Sequence, residues 1–154
     1  MEIRSPAFED KKLMPYKYTC DGENINPPLR IRGIPAGTES LILFFQNQDE
    51  GHAQWVLWNI DPRTNEIKEG SIPKGCIEGF SDFRVRAYIG PCPEHGIKQY
   101  AFILYAIDIK LGLNQNTKKE ELMESIKDNI LDIAELNCKY ARFKSFIIPC
   151  KCEC

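Results

Sequence analysis

Read for the alternation of apolar and polar positions, the first 108 residues break into short runs divided by turn residues. In LRIRGIP, Leu29 and Ile31 fall on one face and Arg30 and Arg32 on the other, the period-two pattern of a half-exposed strand. SLILFF (40–45), QWVLWNI (54–60) and YAFILYAID (100–108) are apolar on both faces, which predicts strands at the centre of a layered structure. FRVRAYI (83–89) also reads as a strand. Between these runs lie CDGENINPP, GIPAGTES, DPRTN, EGSIPKG and GPCPEHG, with no helical period among them. Such spacing predicts an antiparallel all-β arrangement of the sandwich type. The X-Pro bonds in NPP (26–28) and around Pro91 and Pro93 are the candidates for cis peptides.

Further along, the period lengthens. In NTKKEELMESIKDNILDIAEL, Leu122, Ile126, Ile130 and Ala134 recur at i, i+4, with Met123 and Ile133 beside that stripe. Thr117 followed three residues later by Glu120 has the form of a capping box. The pattern predicts one amphipathic helix packing its stripe on the sandwich. Residues 1–142 read as a single domain, and FKSFIIPCKCEC (143–154) as a cysteine-rich tail beyond it.

Composition narrows the function classes. Charged residues make up 27% of the chain and the net charge is −2, so bulk electrostatics predict neither a nucleic-acid nor a membrane-surface partner. The longest apolar run, Leu41–Phe45, is too short to span a bilayer. MEIRSPAFEDKK lacks the apolar core of an export signal, and the expected location is the cytoplasm. There, four of the seven cysteines, Cys20, Cys76, Cys92 and Cys138, are expected as small, buried, reduced side chains. Cys150, Cys152 and Cys154 alternate in the tail, consistent with a soft-metal site, a cross-link to another chain, or incidental surface thiols.

GPCPEHG (90–96) concentrates two glycines, two prolines, a cysteine and a histidine between two strand-like runs. It reads either as a tight connector or as a stiff backbone wall whose amides face an anion. In the second reading Gly90 leaves room for an approaching oxygen, and Pro91 and Pro93 fix the loop.

Taken together, SPAFED (5–10), YTCDGENINPPL (18–29), IPAGTESL (34–41), WVLWNI (55–60), GPCPEHG, YAFILYAID and ILDIAELNCKYAR (130–142) resemble the phosphatidylethanolamine-binding protein family, in its bacterial and archaeal branch. The resemblance spans all but the last dozen residues. It implies a mainly β fold, an antiparallel β-sandwich with Greek-key topology plus a C-terminal helix packed at its edge. It also implies a small pocket for phosphate or a phospholipid head group, with the Gly-Pro-Cys-Pro loop as one wall. Relatives have been linked to inhibition of kinases or proteases, and the family is not an established enzyme class.

On that basis the candidate ligand-binding residues are Asn47, Asp49, Gln54, Trp55, Gly90, Pro91, Cys92, Lys98 and Tyr100. This chain departs from the family pattern at several of them. Asn47 replaces an aspartate, Gln48 a proline, Gln54 the histidine before Trp55, and Lys98 a second pocket histidine. Gln54 keeps an amide donor and Lys98 adds a lasting positive charge, so anion binding is expected to vary little with pH between about 5 and 8. His52 and His95 read as loop-surface residues, with His95 at the pocket rim. Trp55 and Trp58 fall on opposite strand faces, one expected in the core and the other at the pocket opening. Cys20 and Cys92 lie in turns near the pocket and are expected as two thiols rather than a redox pair.

Two functions compete: a binding protein for a small anionic or head-group-like ligand, and an inhibitory protein-interaction module with a degenerate pocket. No catalytic triad, cofactor motif or metal-ligand set recurs at an interpretable spacing, so no enzyme, cofactor or metal is expected.

Overall fold

Strands apolar on both faces need cover on both faces, and the computed structural model, which describes residues 1–142, supplies it in three layers. The strands are β1 (Glu2–Arg4), β2 (Lys12–Leu13), β3 (Leu29–Arg32), β4 (Ser40–Asn47), β5 (Ala53–Ile60), β6 (Glu66–Ile67), β7 (Ile77–Glu78), β8 (Lys98–Ile107) and β9 (Ile130–Tyr140). One helix, α1 (Lys119–Ile126), precedes β9, and a single 3₁₀ turn occupies Tyr16–Tyr18. The large sheet runs β2-β9-β8-β4-β5-β7 and the small one β1-β3-β6. Every pairing is antiparallel except β2 with β9, which is parallel.

The alternation in LRIRGIP holds: Leu29 and Ile31 are buried and Arg30 and Arg32 exposed. They join Ile3 and Ile67 of the small sheet against Leu41, Leu43, Phe45, Trp55, Phe102 and Leu104 of the large one. On the other face, Ile42, Phe44, Val56, Trp58 and Ile107 pack against Leu111 and the helix residues Leu122 and Ile126. That double cover is why the middles of β4 (41–45), β5 (55–58) and β8 (101–104) carry no charged, amide or hydroxyl side chain.

The helical expectation fails beyond Ile126. Residues 130–140 form an 11-residue strand beside β8, with Ala134, Leu136, Cys138 and Tyr140 buried. Lys127, Asp128 and Asn129 break the helix. Asn129 donates its N–H to the Ile126 carbonyl at 2.8 Å and its side-chain amide to Asp108 at 2.8 Å. Asp and Asn favour such local bonds over helix interiors. The helix therefore covers the outer face of the large sheet rather than an edge, and it is not the last element. Its N-cap is Lys118, without a side-chain cap. Thr117 instead donates its hydroxyl to the Asn114 carbonyl at 2.5 Å, so the capping box does not form.

FRVRAYI is not a strand. Ser81 organises it as a turn: its Oγ accepts the N–H groups of Phe83 and Val85, and its carbonyl accepts that of Arg84. Arg84 has φ 60, a left-handed conformation that interrupts extended backbone in mid-segment. No cis peptide bond occurs among the described residues, against the three candidate sites. The tail cysteines Cys150, Cys152 and Cys154 lie outside the described residues. No described helix is long and apolar enough to cross a membrane.

Candidate functional site

A cavity of about 600 Å³ opens where the ends of β4, β5 and β8 of the large sheet meet the loop that precedes β8. Its floor follows from strand register. Asn47, the last residue of β4, pairs with Tyr100 of β8, and Lys98 lies two positions earlier on the same face as Tyr100. A β-bulge adds the third strand: Phe45 pairs with Trp55 but Gln46 pairs with Ala53, so Gln54 is the extra residue. The bulge turns Gln54 to the same side as Trp55. The loop 88–95 forms the opposite wall, through Ile89, Gly90, Cys92, Pro93, Glu94 and His95.

Of the candidate residues, Asn47, Gln54, Gly90, Cys92, Lys98 and Tyr100 line the cavity. Asp49, Trp55 and Pro91 do not. Asp49 accepts the Gln99 N–H at 2.7 Å and ties the turn after β4 to β8. Trp55 is buried between the sheets and donates its indole N–H to Glu78 at 2.7 Å. Trp58 is fully buried on the opposite face, so neither tryptophan forms the opening. Pro91 is buried, and its carbonyl accepts the Cys20 N–H.

The donors differ from the sequence expectation. Gln54 donates its side-chain amide to the carbonyls of Ile89 (2.8 Å) and Gly90 (3.1 Å), so both protons hold the wall and Oε1 is left as an acceptor. The Gly90 N–H is also engaged, donating to Asn24 Oδ1 at 2.8 Å. Nor does Gly90 make room for a guest. A Cβ there would lie 2.2 Å from the Tyr18 carbonyl oxygen and 2.9 Å from Thr19 Cα, so the missing side chain serves contact with the protein. Pro91 and Pro93 have no N–H at all.

Three donors stand on the floor. Asn47 uses Oδ1 to accept the N–H groups of Asp49 (2.9 Å) and Glu50 (3.0 Å), which turns its NH₂ away from that turn. Lys98 is half-buried and forms no ion pair among the described residues. The Tyr100 hydroxyl is held neutral: burial pushes its pKa well up, the Cys92 amide facing it pulls back, and the charges of Glu50 and Asp49 add to the rise.

Sequence reasoning missed several lining groups. Glu50 and Glu94 bring two carboxylates to the cavity against the single ammonium of Lys98. His52 and His95 are exposed loop residues, as read, and both also line it, His95 as expected and His52 in addition, its ring tilted against Phe83 with centroids 5.6 Å apart. Asn24, with φ 59, was visible only as a turn residue.

Cys20 and Cys92 are joined in a disulfide, correcting the expectation of two thiols; their Cα atoms are 5.4 Å apart. Among the described residues Cys76 and Cys138 are free, their thiols pushed up by burial to about 11 and about 12.

Comparison with known proteins follows the same outline. The profile of the family described as phosphatidylethanolamine-binding protein matches residues 4–141. A UPF0098 protein of Methanothermobacter thermautotrophicus is 37% identical over 150 residues, covering 92% of this chain and 99% of that one. One from Pyrococcus abyssi is 36% identical over 150 residues, covering 90% and 84%. Among solved structures, a phosphatidylethanolamine-binding protein homologue from Chlamydia trachomatis superposes with a TM-score of 0.86 at 28% identity, covering 92% of this chain and 97% of that chain. YbcL of E. coli, described as a member of the mammalian family, shares the fold with a TM-score of 0.83 at 20% identity, covering 92% and 98%.

Proposed function

We propose that this chain, which belongs to the phosphatidylethanolamine-binding protein family, binds in the cavity beside the 88–95 loop a small ligand that carries both a phosphate-type anion and an ammonium, as a phospholipid head group does. The supporting observation is the sorting of charge around the cavity. Lys98, the Asn47 amide and the neutral Tyr100 hydroxyl stand as donors on adjacent strands β4 and β8, while Glu50 on the turn after β4, Glu94 on the wall and Gln54 Oε1 supply acceptors. A ligand with only negative charge would meet two carboxylates; one with both signs has a partner for each. The reading is one of binding without turnover.

Calorimetric titration with phosphoethanolamine, inorganic phosphate and ethanolamine tests it. Phosphoethanolamine is expected to bind about 10- to 100-fold more tightly than either fragment, the worth of one further charge-assisted hydrogen bond. Lys98→Ala should remove most of the affinity, and Glu50→Gln with Glu94→Gln should abolish the preference over inorganic phosphate. Equal binding of phosphate and phosphoethanolamine would reduce the site to a plain anion pocket.

A second reading, an inhibitory protein-interaction module, is favoured by one feature: Phe83 and Val85 are exposed on the turn beside the cavity. If none of the three small molecules binds, that reading takes precedence.

A further inference from the structure

The cavity wall is fastened to a distant part of the chain by contacts that converge within a few residues. The Tyr88 hydroxyl donates to the Tyr18 carbonyl at 2.8 Å, the Gly90 N–H to Asn24 Oδ1 at 2.8 Å, and the Cys20 N–H to the Pro91 carbonyl at 3.2 Å. The disulfide between Cys20 and Cys92 adds a covalent tie across 72 positions of sequence. Beyond Cys92 the wall has little else to hold it. From Pro91 to Ile97 no residue lies in a strand or helix, and none donates a backbone hydrogen bond to another backbone group among the described residues. Cys92 is exposed and borders the cavity, whereas Cys20 is half-buried.

We propose that the Cys20–Cys92 disulfide is a thiol-exchange site at the cavity mouth, and that its reduction by a dithiol loosens the wall and lowers the affinity of the cavity. The proposal rests on the binding reading above and names a control on that same site. The greater exposure of Cys92 than of Cys20 sets the order of events. A thiolate of the dithiol attacks Cys92 Sγ, forming a mixed disulfide, and Cys20 Sγ leaves as a thiolate and takes a proton. The second thiol of the reagent then attacks its own sulfur in the mixed disulfide and releases Cys92. Two electrons and two protons pass to the protein, and the reagent departs as its disulfide.

The geometry makes the consequence local. The bond lies at the end of the wall, outside both sheets, so its loss leaves the β4–β8–β9 ladders intact. Cys76 and Cys138 do not compete as nucleophiles, since burial holds both as thiols near neutral pH. Reduction therefore changes how much of the time the wall is docked. If the docked fraction falls to about one tenth, the apparent affinity falls about tenfold.

The test uses the full chain with Cys150, Cys152 and Cys154 replaced by serine, so that tail thiols cannot exchange with the pair. Oxidised and dithiothreitol-reduced protein are compared by amide hydrogen exchange at Cys20, Ile89 and Gly90, whose N–H groups are protected only while the wall is docked, and by calorimetric titration with phosphoethanolamine. Reduction of the folded protein, faster exchange at those three amides, unchanged exchange in β4 and β8, and an affinity about tenfold weaker are expected. A Cys20→Ser, Cys92→Ser variant should match the reduced protein with or without dithiol. The proposal is overturned if the disulfide resists dithiol until the protein unfolds, if the three amides do not quicken, or if the serine variant keeps the oxidised affinity. Should the oxidised protein not bind phosphoethanolamine at all, the binding reading fails and with it the affinity half of the proposal; the exchange measurement still decides whether the disulfide holds the wall.

Discussion

At Gly90 the empty side-chain position is filled by another part of the chain. A methyl group there would press on the Tyr18 carbonyl oxygen, Asn24 Oδ1 and Thr19 Cα, two of which are backbone atoms that cannot swing aside. Gly90→Ala is expected to cost about 3 kcal/mol, the upper part of the range for overpacking, because both walls of the contact are fixed. The urea midpoint of the oxidised protein checks this, and an unmoved midpoint would show that the 18–24 segment gives way freely. The same contact explains what was legible at this scale. Asn47, Lys98 and Tyr100 are readable from the chain because strand alternation fixes their direction once the strands are recognised. Gln54 and Gly90 are not, because their partners, the wall carbonyls for one and Asn24 and Tyr18 for the other, come from remote turns. The pairing of Cys20 with Cys92 is hidden for the same reason: seven cysteines admit many pairings, and only the folded turns select one.

Elements were legible where burial leaves one periodicity and obscure where two fit. β4, β5 and β8 are apolar on both faces because each lies between two layers, and this reads directly from the chain. The segment 122–134 satisfies a helical stripe and, from Ile130 on, also a strand alternation, with no Gly or Pro to mark the change. The two readings make opposite demands of neighbouring residues. In the helix, Ile133 flanks the apolar stripe; in the strand it points outward and is 48% exposed, while Leu136 is 2% exposed in the inter-sheet core. Leu136→Ala is therefore expected to cost 2–5 kcal/mol and Ile133→Ala about 0.5 kcal/mol or less. Urea unfolding of the two variants decides the matter; comparable losses would mean that β9 is out of register with β8.

For the whole molecule, the density of buried phenols sets the alkaline limit of stability. Burial is the first cause of a raised pKa at Tyr18, which reaches about 12, and at Tyr88, Tyr100, Tyr105 and Tyr140. These tyrosines come from the 3₁₀ turn, the cavity wall, β8 and β9, so no single element carries the effect. A phenol whose folded pKa exceeds its unfolded value of about 10 contributes stability fully below pH 10 and loses it as pH rises toward the folded value. The raised thiols of Cys76 and Cys138 act in the same sense from about pH 8.5 upward. Stability is expected to fall progressively above these values, and steeply between about pH 10 and 12. Tyr88 isolates the effect, being wholly buried against Phe45 and Trp55 with its hydroxyl on the Tyr18 carbonyl. Tyr88→Phe loses that hydrogen bond, at a cost of about 1 kcal/mol at pH 8, and also removes a group that must ionise when the chain opens in alkali. The difference in urea midpoint between the parent and Tyr88→Phe should therefore narrow as pH rises from 8 to 11 and then reverse. Midpoint curves that stay parallel across that interval would mean that Tyr88 reaches solvent in the folded protein, which is incompatible with the wall packing as tightly against the core as Gly90 and the disulfide require.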